Sequence, residues 1–320
     1  MLPSLTRRTP WVYISEKYDS REKMAVPGGD VRLTKRFLAG IFIFFVFLLP
    51  VRGGTADWKW SLKLSGGWAY LAGGDLNQGL QGLNDFSKDE YLNVSGQYQK
   101  LHAGFDFQGE LILNLTPRLG VALGSGYFQA SKKSSVSYNF WIISAKDTIH
   151  PRVSVVPLTL GVYYNLPLFR LFSLNLNAGL GYYWGELKWE DQYAFEAQGF
   201  SDRGTERWTA SKGTIGFQGG LGIGFHLTSH LALVLEGFGR YAELKGLSGD
   251  WTLEGKDSSG SYSERGKRTL WYFELSSETR KYPLVGLYEE RPESSSFLNV
   301  HEAAINLSGF SVRAGIKFTF

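Results

Sequence analysis

The 320-residue chain contains no cysteine. That excludes a disulfide framework, a thiolate nucleophile, Cys-based zinc or iron–sulfur sites and the cysteine of a lipoprotein anchor. Beyond residue 56 no apolar run reaches the ~18 residues expected of a spanning helix. If the rest of the chain enters a membrane, it must do so as a closed barrel, because only helices and barrels satisfy their backbone groups in lipid. A basic domain is also missing. Residues 1–56 hold nine Lys or Arg and four Asp or Glu, which leaves 25 basic and 26 acidic residues after them, a net charge of −1. The whole-chain charge of +4 therefore belongs to the leader and gives no basic face for nucleic acid.

What is present points to β structure. The chain has 39 glycines, ten tryptophans and 17 tyrosines, and it is 43% hydrophobic, too apolar for a disordered polymer. Residues 37–50, FLAGIFIFFVFLLP, follow Lys35 and Arg36. This run is short for a span and suits the apolar region of a secretory signal peptide. Gly54 and Ala56 fit an A-x-A-like site, so cleavage is expected after Ala56. Residues 1–23 are long for a signal n-region, which makes Met24 the expected start. The expected organisation is a leader over 1–56 and one barrel domain over 57–320.

Eight segments alternate with period two, the mark of a strand with two different faces. They are 58–70, 101–115, 119–129, 154–166, 172–184, 215–227, 231–241 and 304–320. In the first, Trp58, Trp60, Leu62, Leu64, Trp68 and Tyr70 oppose Lys59, Ser61, Lys63 and Ser65. In the last, Phe310, Val312, Ala314, Ile316, Phe318 and Phe320 oppose Ser311, Arg313, Lys317 and Thr319. Short turns alternate with long polar connections at 73–99, 131–152, 186–212 and 243–302. That asymmetry suits a membrane barrel with tight inner turns and long outer loops. The polar face is rich in glycine, as at Gly120, Gly124, Gly220, Gly222 and Gly224. Water gains nothing from glycine, but a crowded lumen needs it so that side chains from the opposite wall fit. Aromatic residues gather near the strand ends on the apolar face, as in an interfacial girdle.

The leader, the eight alternating segments and the terminal GIKFTF resemble the small bacterial outer-membrane β-barrel family that includes OmpA and OmpX. The resemblance implies an all-β, antiparallel up-and-down transmembrane barrel of eight strands in the outer membrane, reached after export to the periplasm. Ten strands are the alternative, with 266–276 and 281–288 as a further hairpin; Pro283 and the shortness of the second segment favour placing that hairpin above the membrane. The resemblance also implies that Phe320, Phe318 and Ile316 form the signal read by the barrel-assembly machinery. Outer-membrane lipid is the other expected partner, with an unknown extracellular ligand at the loops and no nucleic acid.

No chemistry-bearing motif is complete. There is no G-x-S-x-G elbow, and no histidine begins a His-x-Ser-Asn motif. His226 and His230 have zinc-helix spacing but lack the glutamate of H-E-x-x-H and straddle a turn. The loop carboxylates Asp75, Asp85, Asp89, Glu90, Asp191, Glu196, Glu289, Glu290 and Glu293 read as a solvated rim. No catalytic, cofactor or metal residue is assigned, and an enzyme is not expected. The lumen carries the one constellation. Counted from the strand ends, Lys63, Glu110, Glu236 and Arg313 reach similar heights on neighbouring strands, with Asp106 and Arg240 one layer higher. The set resembles the charged cluster that plugs the OmpA barrel. A structural or surface-interaction role through the outer loops is the leading function. A narrow or gated pore is the first alternative, and an enzyme with an unrecognised loop site is the second.

Overall fold

The structure is a computed structural model that describes residues 59–320 apart from Leu92, Trp141, Ile142, Glu278 and Thr279. The leader, with its apolar run 37–50 and the Ala56 junction, lies outside the described residues, as does Trp58. The chain enters on β1 (Lys59–Tyr70), crosses the helix α1 (Asp75–Glu90) and β2 (Val94–Gly96), and returns on β3 (Ala103–Asn114). It continues through β4 (Leu119–Ser131), the hairpin β5 (Ser134–Phe140) and β6 (Ile143–Ile149), and β7 (Arg152–Pro167). Two long strands follow, β8 (Phe172–Ala197) and β9 (Phe200–His226), then β10 (Leu231–Tyr241) and β11 (Glu243–Lys245). The last connection holds β12 (Ser248–Asp257), β13 (Gly260–Ser276), β14 (Lys281–Tyr288), β15 (Phe297–Glu302) and β16 (Ala304–Asn306) before β17 (Gly309–Thr319).

The chain is all-β and antiparallel, and it holds more strands than the eight that alternation marks out, because the long connections carry strands of their own. Within the large sheet, β9, β10, β17, β1, β3, β4, β7 and β8 pair in that order, and β8 pairs back with β9. That last ladder closes a ring. The segment 260–276 pairs with 281–288 but joins the ring only sideways, through β12 on β9. It adds no strand to the wall, as expected of a hairpin standing clear of it.

Alternation in the ring strands gives an outward face that is apolar and exposed. Phe105, Leu160, Ile215, Phe217, Leu221, Leu235 and Phe310 all lie more than half exposed. On β8 the exposed apolar positions run from Phe172 to Trp184 and stop there. At ~3.3 Å per residue and a tilt of ~40° those residues rise roughly 30 Å. Such a belt suits a bilayer's hydrocarbon and would be unstable in water.

Beyond the belt the outer connections pack into a second module with its own apolar core. Leu76, Leu80, Leu83 and Phe86 recur at helical spacing on one face of α1, and all are buried. That face lies against β14, where a Cβ at Gly82 would fall 1.7 Å from the Pro283 oxygen. Only glycine permits so close an approach. Trp208, Trp251, Leu253, Phe273 and Leu284 extend the same core. Polar composition hides this module in the sequence, because its apolar residues meet only through long-range contacts.

Candidate functional site in the barrel lumen

Alternation turns the polar residues of the ring strands inward. Lys63 stands directly across the β1–β3 ladder from Glu110, and Glu236 directly across the β10–β17 ladder from Arg313. The four strands are consecutive in the ring. Lys63 Nζ lies 2.5 Å from Glu110 Oε2 and 2.8 Å from Glu236 Oε2. Arg313 Nη2 lies 3.1 Å from Glu236 Oε1, and its Nη1 lies 3.9 Å from Asp106 Oδ2. All five residues are at most 5% exposed. Charges so placed are tolerated only when paired, since each loses its hydration.

The structure differs from the counted arrangement in two respects. Across the β1–β17 ladder Lys63 faces Lys317, and Arg313 faces Gly67. The two ion pairs are therefore offset by four residues along that ladder, an effect of barrel stagger that counting from strand ends does not see. Asp106 also faces Gly67, from the other side. With no side chain between them, Asp106 and Arg313 approach each other across the glycine. Arg240 interacts electrostatically with Asp106, while its Nε donates to the Leu307 oxygen at 2.9 Å and its guanidinium lies 4.5 Å over the Phe128 ring. Asp106 thus makes its ion pair with Arg313, with Arg240 nearby.

Three neighbours complete the cluster, and counting charges does not find them. Tyr163 OH donates to Glu110 Oε2 at 2.6 Å and also bonds Lys63 Nζ. Gln108 accepts from Arg313 through Oε1 and donates to Glu110 through Nε2 at 3.1 Å. Phe238 lies under the Arg313 guanidinium at 3.8 Å. Their only sequence signal is parity, because each occupies an inward position of its strand. The lumen glycines work differently from expectation. Glu236 lies across from Gly222 and Glu110 across from Gly124, so the room goes to adjacent strands as well as to the opposite wall.

Above this cluster the lumen turns apolar. Ala69, Phe128, Val153, Val155, Tyr183 and Leu187 are buried and merge with the core of the outer module. Among the described residues no group of three or more His, Asp or Glu side chains is placed to hold a metal ion. His226 Nε2 meets Ser173 Oγ at 3.0 Å and His230 Nδ1 meets Ser229 Oγ at 2.9 Å, so the two rings share no site. At the C-terminus Ile316 pairs with Leu64 and Leu233, Phe318 pairs with Leu62 and Leu231, and Phe320 is 71% exposed.

A second polar line runs through the outer module. Ser87 Oγ lies 3.2 Å from Tyr138 OH, which lies 2.9 Å from Tyr98 OH; Tyr98 OH donates to Asp147 Oδ2 at 2.5 Å. Asp147 meets Asp191, which faces Glu206 across the β8–β9 ladder. Glu206 accepts from the Trp251 indole. Asp191, read from sequence as part of a solvated rim, is wholly buried. Burial raises the Asp147 carboxyl above the usual range, and burial followed by the Asp147 charge raises Asp191 well above it. As two carboxylates the pair has only acceptors to offer, so Asp147 Oδ1 and both Asp191 oxygens lack a donor. A proton shared between them would give two of these three oxygens a partner.

A family model for the outer membrane protein β-barrel domain matches residues 57–256. No curated protein matches the chain. Among solved structures, a major outer membrane protein from Thermus thermophilus is 16% identical over 82% of this chain and 100% of that one, with a TM-score of 0.36. The outer membrane protease OmpT from Escherichia coli is 11% identical over 84% and 99%, with a TM-score of 0.28. Likenesses at this level carry nothing about activity. The closed ring, its lipid-suited belt and the family match agree that the chain belongs to the outer membrane protein β-barrel domain family and resides in the bacterial outer membrane.

Proposed function

We propose that the protein is an eight-stranded outer-membrane barrel with a filled lumen that displays a folded outer module for structural or surface interaction. The observation that carries this reading is the pair of barriers in the lumen. A buried ion cluster sits at mid-height, and an apolar core closes the outer end. Eight-stranded interiors are just wide enough for side chains to fill, so catalysis and solute flow have no room there. The leader would direct export, with residues 37–50 as the signal and cleavage after Ala56. Purified folded protein in planar bilayers is expected to show no steady conductance above the bare membrane. Reproducible single-channel steps would favour the gated-pore reading instead.

Assembly is proposed to depend on the C-terminal strand. Ile316 and Phe318 share one outward face of β17, and Phe320 follows it, its N–H bonding the Trp60 oxygen at 2.8 Å where the first and last ring strands meet. Deleting Phe320 is expected to lower the amount of heat-modifiable barrel in outer-membrane fractions severalfold. Unchanged amounts would contradict a role in assembly.

A further inference from the structure

The outward face of the ring changes character abruptly above the belt. Outward positions on β8 end their apolar series at Trp184 and continue with Glu186 and Lys188. On β7 the same face passes from Leu158 through Ser154 to Arg152. The belt edge is marked on β4 by Tyr127, whose hydroxyl donates to Gln129 Oε1 at 2.7 Å and lies 3.2 Å from Ser154 Oγ, in the first polar layer. One layer further out, Arg152 stands directly across the β7–β8 ladder from Lys188. Like charges directly opposed destabilise a ladder. Lys188 is partly balanced by Glu186 at 2.9 Å, whereas the Arg152 side chain makes no ion pair or hydrogen bond among the described residues. Lys132 and Lys133, both exposed, follow β4 directly, and the Lys132 N–H bonds the Pro151 oxygen next to Arg152.

Height identifies the partner. Arg152 and Lys188 lie four residues beyond the belt edge, roughly 10 Å above it for a strand tilted by ~40°. The headgroup layer, roughly 5–8 Å deep on each side, lies just below them, and long basic side chains reach back into it. A guanidinium beside two or three ammonium groups matches a phosphate, which accepts a forked pair of hydrogen bonds. On the opposite side of the ring β1 leads straight into the α1 module. We infer that Arg152, Lys188, Lys132 and Lys133 form a docking surface on the outer wall of the barrel for the phosphorylated headgroup of an outer-leaflet lipid.

The test is native mass spectrometry of the full folded protein in detergent, titrated with lipid A or with enzymatically dephosphorylated lipid A. The wild type is expected to retain lipid A at least about tenfold better than its dephosphorylated form, since each cation near an anionic surface contributes a factor of ~5. R152A/K188A is expected to lose that preference, and R152K/K188R to keep most of it. All three proteins should stay heat-modifiable, because both side chains are exposed. Equal retention of the two lipids by the wild type would overturn the proposal. So would an unchanged preference in R152A/K188A, or displacement of lipid A by an equal concentration of inorganic phosphate, which would mark a site for a free anion.

Discussion

Glu110→Ala or Arg313→Ala is expected to cost about 3–5 kcal/mol of folding stability, measured by denaturant titration of the folded barrel with tryptophan fluorescence. Each substitution leaves a buried charge without its main partner. Removing Glu110 deprives Lys63 Nζ of one of its two carboxylates and Tyr163 OH of its acceptor. Removing Arg313 leaves Glu236 with Lys63 alone for a cation and Asp106 without an ion-pair partner. Lys59→Ala, at the exposed mouth of β1, should leave the midpoint unchanged. The double variant Lys63→Ala/Glu110→Ala should cost less than the sum of its parts, because it removes both members of one pair. Equal, small effects from Glu110→Ala, Arg313→Ala and Lys59→Ala would mean that water solvates the lumen and that the ion cluster does not hold it closed.

The second large effect concerns the outer module and pH. Asp147 and Asp191 share a buried site faced by Tyr98, Tyr138 and Glu206, and no cation lies within ion-pair distance of either aspartate among the described residues. Their folded carboxyls hold protons above the usual range because burial penalises the charge. The sign follows from linkage. Below about pH 4 both folded and unfolded chains are protonated, and the pair contributes its full stability. As pH rises, the unfolded chain ionises first while the folded pair keeps its proton, so stability falls until the raised folded pKa is passed. Across that window the loss approaches ~1.4 kcal/mol per pH unit for one retained proton. Asp191→Asn removes the more strongly raised carboxyl and keeps the shape, while the buried Asp147 still titrates. Protease protection of the β5–β6 hairpin should therefore fall from pH 4 to pH 8 in the wild type and fall less in Asp191→Asn. Parallel profiles in the two proteins would show that Asp191 keeps no proton.

Much of this was legible in the sequence because it depends on a local rule. In a strand successive side chains point to opposite faces, so period-two alternation marks each ring strand and sorts its residues into wall and lumen. Inward parity alone places Lys63, Asp106, Glu110, Glu236 and Arg313 in one interior, and adjacency in the ring makes Lys63–Glu110 and Glu236–Arg313 direct neighbours. The end of the belt at Trp184 is likewise written in the order of residues along β8.

What alternation leaves open is any quantity that relates one strand to another. The stagger that sets Lys63 opposite Lys317, and that brings Asp106 to Arg313 over Gly67, is a property of ring closure and has no signature within a single strand. The outer module is hidden for a related reason. Its core joins α1, β5, β6 and β12–β14 across long separations, so a polar stretch such as 73–99 reads as a loop although Leu76, Leu80 and Leu83 are fully buried. Asp191 reads as solvated for the same reason, since its burial comes from β6 and β9 rather than from its own neighbours. The sequence by itself determined an all-β chain with one apolar wall and one charged lumen, because side-chain direction along a strand is local. Only the tertiary structure decided which charges meet and what closes the barrel, because register and packing between distant segments are set together when the ring closes.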